Sequence, residues 1–210
     1  MSTIASTSRR TAAGLIAGHS GPSLIASSRT PALSPARSSS TASRPPLELT
    51  LALLKPSVCA YQPDISTILR SIKTSGLSIA RSRRLFWTSA DAHAFYAEHR
   101  GRFYYDRLIL GMISGPSLAL ALCGPGAVKE WRRMLGPTKA YKGKYTDESC
   151  LRARYGLGDT RNGFHGSDGQ ESAKRELGLV FDGWDAEWWL QREMGQLPTD
   201  QGGSVNPLGF

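Results

Sequence analysis

A chain of 210 residues with 40% apolar content and ordinary Gly, Pro and aromatic usage holds one globular domain plus flanking segments, which excludes a wholly disordered or fibrous protein. Its formal net charge is +9, but residues 1–46 hold five of the 26 basic residues (Arg9, Arg10, Arg29, Arg37, Arg44) and none of the 17 acidic ones, so only +4 is spread over the remainder. That mild excess suits a small polyanion such as a nucleotide and does not mark a nucleic-acid surface; three scattered cysteines (Cys59, Cys123, Cys150) without a C-x-x-C pair argue against a disulfide framework or zinc site, and no apolar run reaches the roughly 18–20 residues of a membrane span.

Residues 1–46 are rich in Ser, Thr, Ala and Arg and lack a long apolar core. They cannot bury enough apolar area to fold, and their composition is that of an organelle transit peptide, with mitochondrial import to the matrix as the expected address. Order is expected from 47 to 190, with 191–210 as a polar, Gly/Pro-containing tail. Leu47 to Leu54 (LELTLALL) reads as an apolar strand ended by Lys55-Pro56. A helix follows from Asp64 to Ser75, because Ile65, Ile68, Leu69 and Ile72 fall on one face and Gly76 stops it. Leu77 to Trp87 alternates as a second strand.

Thr88 or Ser89 caps the next helix, which runs to His99, and Arg102 to Ile113 continues as another, with Phe103, Tyr104, Leu108 and Ile109 buried or lining a cleft. His93 and His99 read as surface helix residues. Ser114-Gly115-Pro116 turns the chain into Leu118 to Cys123 (LALALC), a strand central in a sheet. Gly126 to Leu135 is a helix, residues 136–149 a long loop, and Leu151 to Tyr155 a helical turn. A last helix spans Ser167 to Phe181, and Trp184, Trp188 and Trp189 close the domain. The order β-α-β-(helices)-β-α-(loop)-β-α predicts an α+β ferredoxin-like βαββαβ sandwich, an antiparallel sheet with helices packed on it.

His165 stands between an Asn-Gly turn and a helix start, where unpaired N–H groups and the helix dipole favour an anion. Lys55, Arg102, Arg132, Arg152 and Arg161 supply cations suited to phosphate oxygens. Neither a Walker A loop nor a G-x-G-x-x-G turn follows any strand. A histidine that handles phosphate without a P-loop is a nucleophile or a general acid/base, and spacing alone does not separate the two.

LALLKPS at 51–57, SGP at 114–116, WRRMLGPT at 131–138 and RNGFHGSD…ESAKREL at 161–177 resemble the nucleoside diphosphate kinases, in family order and over most of the ordered chain. The LGPT element, FYAEHRGRFYYDRL at 95–108 and a longer loop before Arg152 make it most similar to the divergent type 6 branch, whose members are mitochondrial. The resemblance implies transfer of the γ-phosphate of a nucleoside triphosphate to a nucleoside diphosphate, in ping-pong fashion, through a pros-phosphohistidine at His165. It further implies that Glu176 holds the other imidazole nitrogen, that Ser167 presents its hydroxyl and N–H near the transferred phosphate, and that Tyr96 lies beside the histidine.

By the same resemblance, Lys55 and Asn162 hold the ribose 3′-hydroxyl and terminal phosphates, and Arg132, Thr138 and Arg152 bind the phosphates. Tyr104 and Leu108 hold the base, and Mg²⁺ enters through the nucleotide phosphates, with no metal ligand from the protein. Ser57, Gly169 and Tyr104 depart from the usual Asp, Ser and Phe. The expected partners are nucleoside tri- and diphosphates, with a homo-oligomer or a protein partner as macromolecular options and no nucleic acid. The competing reading is an interaction or regulatory protein of the same fold whose phosphotransfer is weak or partner-dependent.

Overall fold

The computed structural model describes residues 46–195. The expected transit segment, and the tail beyond residue 195, lie outside them. Four strands form one antiparallel sheet in the order β2-β3-β1-β4, with β1 at Leu47–Leu54, β2 at Ser78–Phe86, β3 at Pro116–Pro125 and β4 at Phe164–Gly166. With helices on the sheet, this is the ferredoxin-like α+β sandwich expected from the sequence.

The two central strands are buried on both faces, which is why they read as nearly continuous apolar runs. On one face Leu49, Leu51 and Leu53 pack with Phe95, Tyr96, Ile109, Met112 and Leu177. On the other, Ala52 and Leu54 pack with Ile65, Ile68, Ile72, Trp131 and Phe164. Each fully buried leucine contributes about 1.5–3 kcal/mol of burial free energy. The first face lies under α3 (Ser89–Phe95), α4 (Tyr105–Ile113) and α8 (Gln170–Val180), and the second under α2 (Gln62–Thr74) and α5 (Ala127–Leu135).

Several boundaries differ from expectation for identifiable reasons. Pro56 opens a four-residue helix, α1 (Pro56–Cys59), because its missing N–H costs nothing at a helix start. Thr88 caps α3 through a reciprocal bond with Asp91: the Asp91 N–H donates to Thr88 Oγ1 at 3.1 Å and the Thr88 N–H to Asp91 Oδ2 at 3.2 Å. This helix ends at Phe95, and a 3-10 turn (Ala97–His99) replaces its predicted last turn. The next begins at Tyr105, not Arg102, and leaves Phe103 87% exposed.

The predicted loop contains α6 (Ala140–Thr146), and α7 (Leu151–Tyr155) matches the expected helical turn. Ser167 lies outside the last sheet-packing helix, which starts at Gln170. Ser172 Oγ accepts from the Asp168 and Gly169 N–H groups and sets that boundary. A further helix, α9 (Ala186–Glu193), is capped by Asp185 and takes in residues 191–193 that the sequence places in the tail. His93 and His99 are half-buried, facing the hydroxyls of Tyr105 (2.7 Å) and Tyr104 (3.5 Å). Among the described residues no helix is long and apolar enough to cross a membrane.

Candidate active site

The site grows from the edge strand β4. Its three residues pair with β1 so that Leu53 lies opposite His165. Alternation sends Phe164 and Gly166 toward Trp131 and Leu135, and His165 to the opposite face, toward Phe95 and Glu176. The strand is fixed from both sides. The Trp131 indole N–H donates to the His165 carbonyl at 3.0 Å, and the Phe95 ring meets the imidazole edge-on at 4.9 Å. The sequence points to neither residue as a neighbour of the histidine. Periodicity places Trp131 on a buried helix face, but its indole donor gives no hint of its acceptor.

Glu176, on the buried face of α8, places Oε2 2.8 Å from His165 Nε2. The Ser167 hydroxyl donates to the same oxygen at 2.7 Å. Burial pushes the Glu176 carboxyl up, but the hydrogen bonds from His165 and Ser167 and the nearby positive charge outweigh it and hold it below the usual range. His165 moves down as well, chiefly because it is removed from water, with Lys55 and Arg152 adding to the fall. The hydrogen bond and charge of Glu176 pull the other way without offsetting it. At neutral pH the pair is therefore a carboxylate and a neutral imidazole. The carboxylate accepts the Nε2 proton, so the lone pair sits on Nδ1, which has no hydrogen-bond partner among the described residues.

Ser167 is engaged within the protein. Its side chain is wholly buried, its hydroxyl is spent on Glu176, and its oxygen accepts the Leu51 N–H at 3.2 Å. Its own N–H donates to the Leu51 carbonyl at 3.3 Å. It ties the Glu176 carboxylate to the central strand and offers no free donor to a phosphate.

Lys55 closes β1, its backbone N–H donating to Gly163 O at 2.9 Å and its ammonium lying 5.6 Å from the Tyr96 ring centroid. Burial and the neighbouring Arg152 charge push its pKa down to about 7. Arg152, half-buried on α7, donates from Nη1 to Gly136 O at 2.8 Å, while its Nε is buried without a partner. Burial and Arg132 lower the Arg152 pKa to about 10, so it stays charged at neutral pH. Tyr96 is buried with an unpartnered hydroxyl, and its pKa is raised by burial first and by Glu176 second. Lys55, Tyr96, Arg152 and His165 thus share one desolvated, electropositive corner with two unsatisfied polar atoms, which is a site built for anionic oxygens.

Asn162 is buried and donates to the Thr138 carbonyl at 3.1 Å, joining the loop after α5 to the strand that carries the histidine. Thr138 and Arg132 are exposed at that rim. Leu108 lines a narrow recess with Lys55 and Ser57, bounded by Gly111, Ser114, Thr160 and Arg161. The same four residues line a larger groove of about 540 Å³ between α4 and the 157–161 loop. That groove does not include His165; the chemistry is placed by the histidine, its carboxylate and the cations, and the groove lies beside it. Tyr104 lines neither concavity, its ring lying against Phe103 and His99. Among the described residues no three His, Cys, Asp or Glu side chains come together as a metal cage.

The family model for nucleoside diphosphate kinase matches residues 48–185. The chain is 45% identical over 147 residues to nucleoside diphosphate kinase 6 of Danio rerio, covering 70% of this chain and 83% of that one. Its fold is similar to the nucleoside diphosphate kinase of Aquifex aeolicus (TM-score 0.63, 31% identity, 65% of this chain and 96% of that one). It is also similar to that of Halobacterium salinarum, solved in complex with CDP (TM-score 0.59, 29% identity, 68% and 97%). The chain belongs to the nucleoside diphosphate kinase family, and its likeness extends to the type 6 branch.

Proposed function

We propose that this nucleoside diphosphate kinase family member moves the γ-phosphate of a nucleoside triphosphate onto a nucleoside diphosphate through a phosphohistidine at Nδ1 of His165. The observation that carries this reading is the commitment of Nε2 to an ionised Glu176, which leaves the Nδ1 lone pair free beside Lys55 and Arg152. In the first half-reaction Nδ1 attacks the γ-phosphorus in line. The bond from phosphorus to the β,γ-bridging oxygen breaks, and that oxygen leaves with the electron pair on the diphosphate. Nε2 keeps its proton throughout, and Glu176 stabilises the positive charge that develops on the ring. In the second half-reaction a terminal oxygen of another diphosphate attacks the same phosphorus, and the N–P electron pair returns to Nδ1.

Lys55 and Arg152 are aimed at the charge that builds on the transferred group, in a corner where desolvation strengthens them. The buried Tyr96 hydroxyl and Arg152 Nε have no protein partner and are open to nucleotide oxygens. Mg²⁺ fits this site only as a guest on the nucleotide, where it neutralises phosphate charge, because the buried carboxylate of the site is already held by His165 and Ser167. The test is incubation of purified protein with γ-labelled ATP. We expect an acid-labile, alkali-stable label on wild type and none on His165→Ala. A well-folded wild type that takes up no such label rules the reading out.

The lowered Lys55 pKa gives a second expectation. Above pH 7 free Lys55 is largely neutral, and an anionic phosphate beside it restores its affinity for a proton. Nucleotide binding at pH 8 should therefore take up close to one proton, at most about one per site. Calorimetry in buffers of different ionisation enthalpy reads this directly, and Lys55→Met should abolish it. Binding heats at pH 8 that do not depend on the buffer contradict the assignment.

A further inference from the structure

We propose that Arg175 is a positioning residue for phosphotransfer: it holds the free oxygen of the Glu176 carboxylate, and Glu98 holds Arg175 in place. The proposal rests on the phosphohistidine reading and deepens it. Glu176 uses Oε2 for both His165 and Ser167. Its other oxygen, Oε1, lies 3.7 Å from Arg175 Nη2, and the same Nη2 lies 2.8 Å from Glu98 Oε1 on the 3-10 turn. Helix neighbours at i and i+1 do not normally face each other. An arginine that reaches the carboxylate of the next residue needs an outside anchor, and Glu98 is that anchor. Lys174, the residue on its other side, points away to Glu187 at 3.0 Å.

The two ends of this relay differ in their surroundings. Glu98 and Arg175 are each more than a third exposed, so their ion pair is screened and weak by itself. Glu176 is only 6% exposed in its side chain, so a cation beside it is felt strongly. The groups facing the carboxylate are His165 from β4, Ser167 from the following loop, Tyr96 from the segment after α3, and Arg175 from its own helix. Around the histidine stand Lys55 at the end of β1, Arg152 from α7, and Asp168. Lys55 and Arg152 lie on the side where phosphates are handled. Arg175 meets the carboxylate from the other end, where its charge acts on Glu176 with or without nucleotide.

Loss of the Arg175 charge lets both Glu176 and His165 take up a proton at higher pH. Either event removes the reactive combination of carboxylate and neutral imidazole, and both act on the acid side of the rate profile. In the full-length chain, Arg175→Met should move the acid limb of phosphohistidine formation upward by roughly half a pH unit, a loss of about threefold below that limb. Arg175→Lys should restore it, and Glu98→Gln should shift it in the same direction by less. The KM for nucleotide should not change, because Arg175 sits behind the histidine. An acid limb for Arg175→Met that superimposes on wild type, or a change confined to KM, overturns the proposal. The ¹⁵N resonances of the His165 imidazole, titrated without nucleotide, should show the same displacement and need no turnover. If they move in a chain that never labels, the link from Arg175 stands and the phosphotransfer reading fails. If the chain labels and neither measurement moves, the Arg175 proposal fails alone.

Discussion

Glu176→Gln is expected to lower the rate of His165 phosphorylation by about 10³-fold while leaving the fold intact. The amide is nearly isosteric, so the loss has to come from hydrogen-bond polarity. In wild type one oxygen accepts from both His165 Nε2 and the Ser167 hydroxyl, and the other faces Arg175. A glutamine has one acceptor and one donor. If its oxygen takes the inner position, its NH₂ is directed at the Arg175 guanidinium, donor against donor. If it turns over, the NH₂ meets His165 Nε2 and forces the ring into the tautomer with its proton on Nδ1. That tautomer has no lone pair where phosphorus is attacked. The flipped state also leaves the buried Ser167 hydroxyl facing a donor, a cost of roughly 1–3 kcal/mol. The check is a single-turnover labelling rate together with the ¹⁵N shifts that report the tautomer. A variant that labels within threefold of wild type is incompatible with Glu176 as the group that fixes the tautomer.

The contact between His165 and Glu176 joins residues eleven apart, and the sequence points to it only through a family likeness. Strand β1, the apolar face of α2 and the Thr88 cap are all local patterns, and the structure keeps them with boundaries shifted by a residue or two. The expected alternation of β2 is broken by a register shift between Ile79 and Arg81, so that Leu77 and Ile79 pack on one face of the sheet and Leu85 and Trp87 on the other. What was illegible depends on contacts rather than periodicity. Helix α6 (AYKGKYT) has no apolar stripe; it buries Ala140 and Gly143, and a Cβ at Gly143 would lie 3.0 Å from Cys150 Sγ and 3.3 Å from Ala153 Cβ. Close packing of small residues leaves no hydrophobic signature. Strand β4 is expected in the order of elements but not placed in the chain, because it is three residues long and owes its existence to the ladder that β1 offers it. Asp185 before Ala-Glu does carry an N-cap signal for α9, but the tryptophans around it read first as closure of the domain.

The site residues divide along the same line. His165, Lys55 and Arg152 could be nominated by chemistry, since a histidine and cations near turns suggest phosphate. Their convergence could not, because Arg152 arrives from α7 and Lys55 from the end of β1. The Arg152 bond to Gly136 O ties α7 to the end of α5. Helix α6 fills the segment between them, and the guanidinium lies close enough to His165 for its charge to lower the imidazole pKa. Ser167, expected by likeness near the transferred phosphate, has its hydroxyl on Glu176 and the Leu51 N–H. Its hydroxyl joins the carboxylate to the strand and so orients Glu176.

The strand that carries His165 should also be the most fragile part of the site. Gly166→Ala is expected to destabilise the domain by about 2–3 kcal/mol and to lower its melting temperature by roughly 5–10 °C. A Cβ at Gly166 would lie 2.6 Å from Trp131 Cδ1 and 2.7 Å from its Nε1, and 3.1 Å from a Leu135 methyl. Trp131 is wholly buried in the core under α5, so the ring cannot swing into solvent. Either the indole shifts and gives up its bond to the His165 carbonyl, or β4 lifts away from β1, to which only three residues bind it. Both outcomes displace the imidazole relative to Glu176, so phosphorylation should fall further than the loss of folded protein accounts for. Gly169→Ala, three residues on, is the control. Its backbone is extended and a Cβ there meets nothing within 4 Å, so stability and labelling should stay near wild type. Thermal melts and labelling rates on the two variants decide the matter. If Gly166→Ala melts and labels like Gly169→Ala, the contact between β4 and Trp131 does not position the histidine.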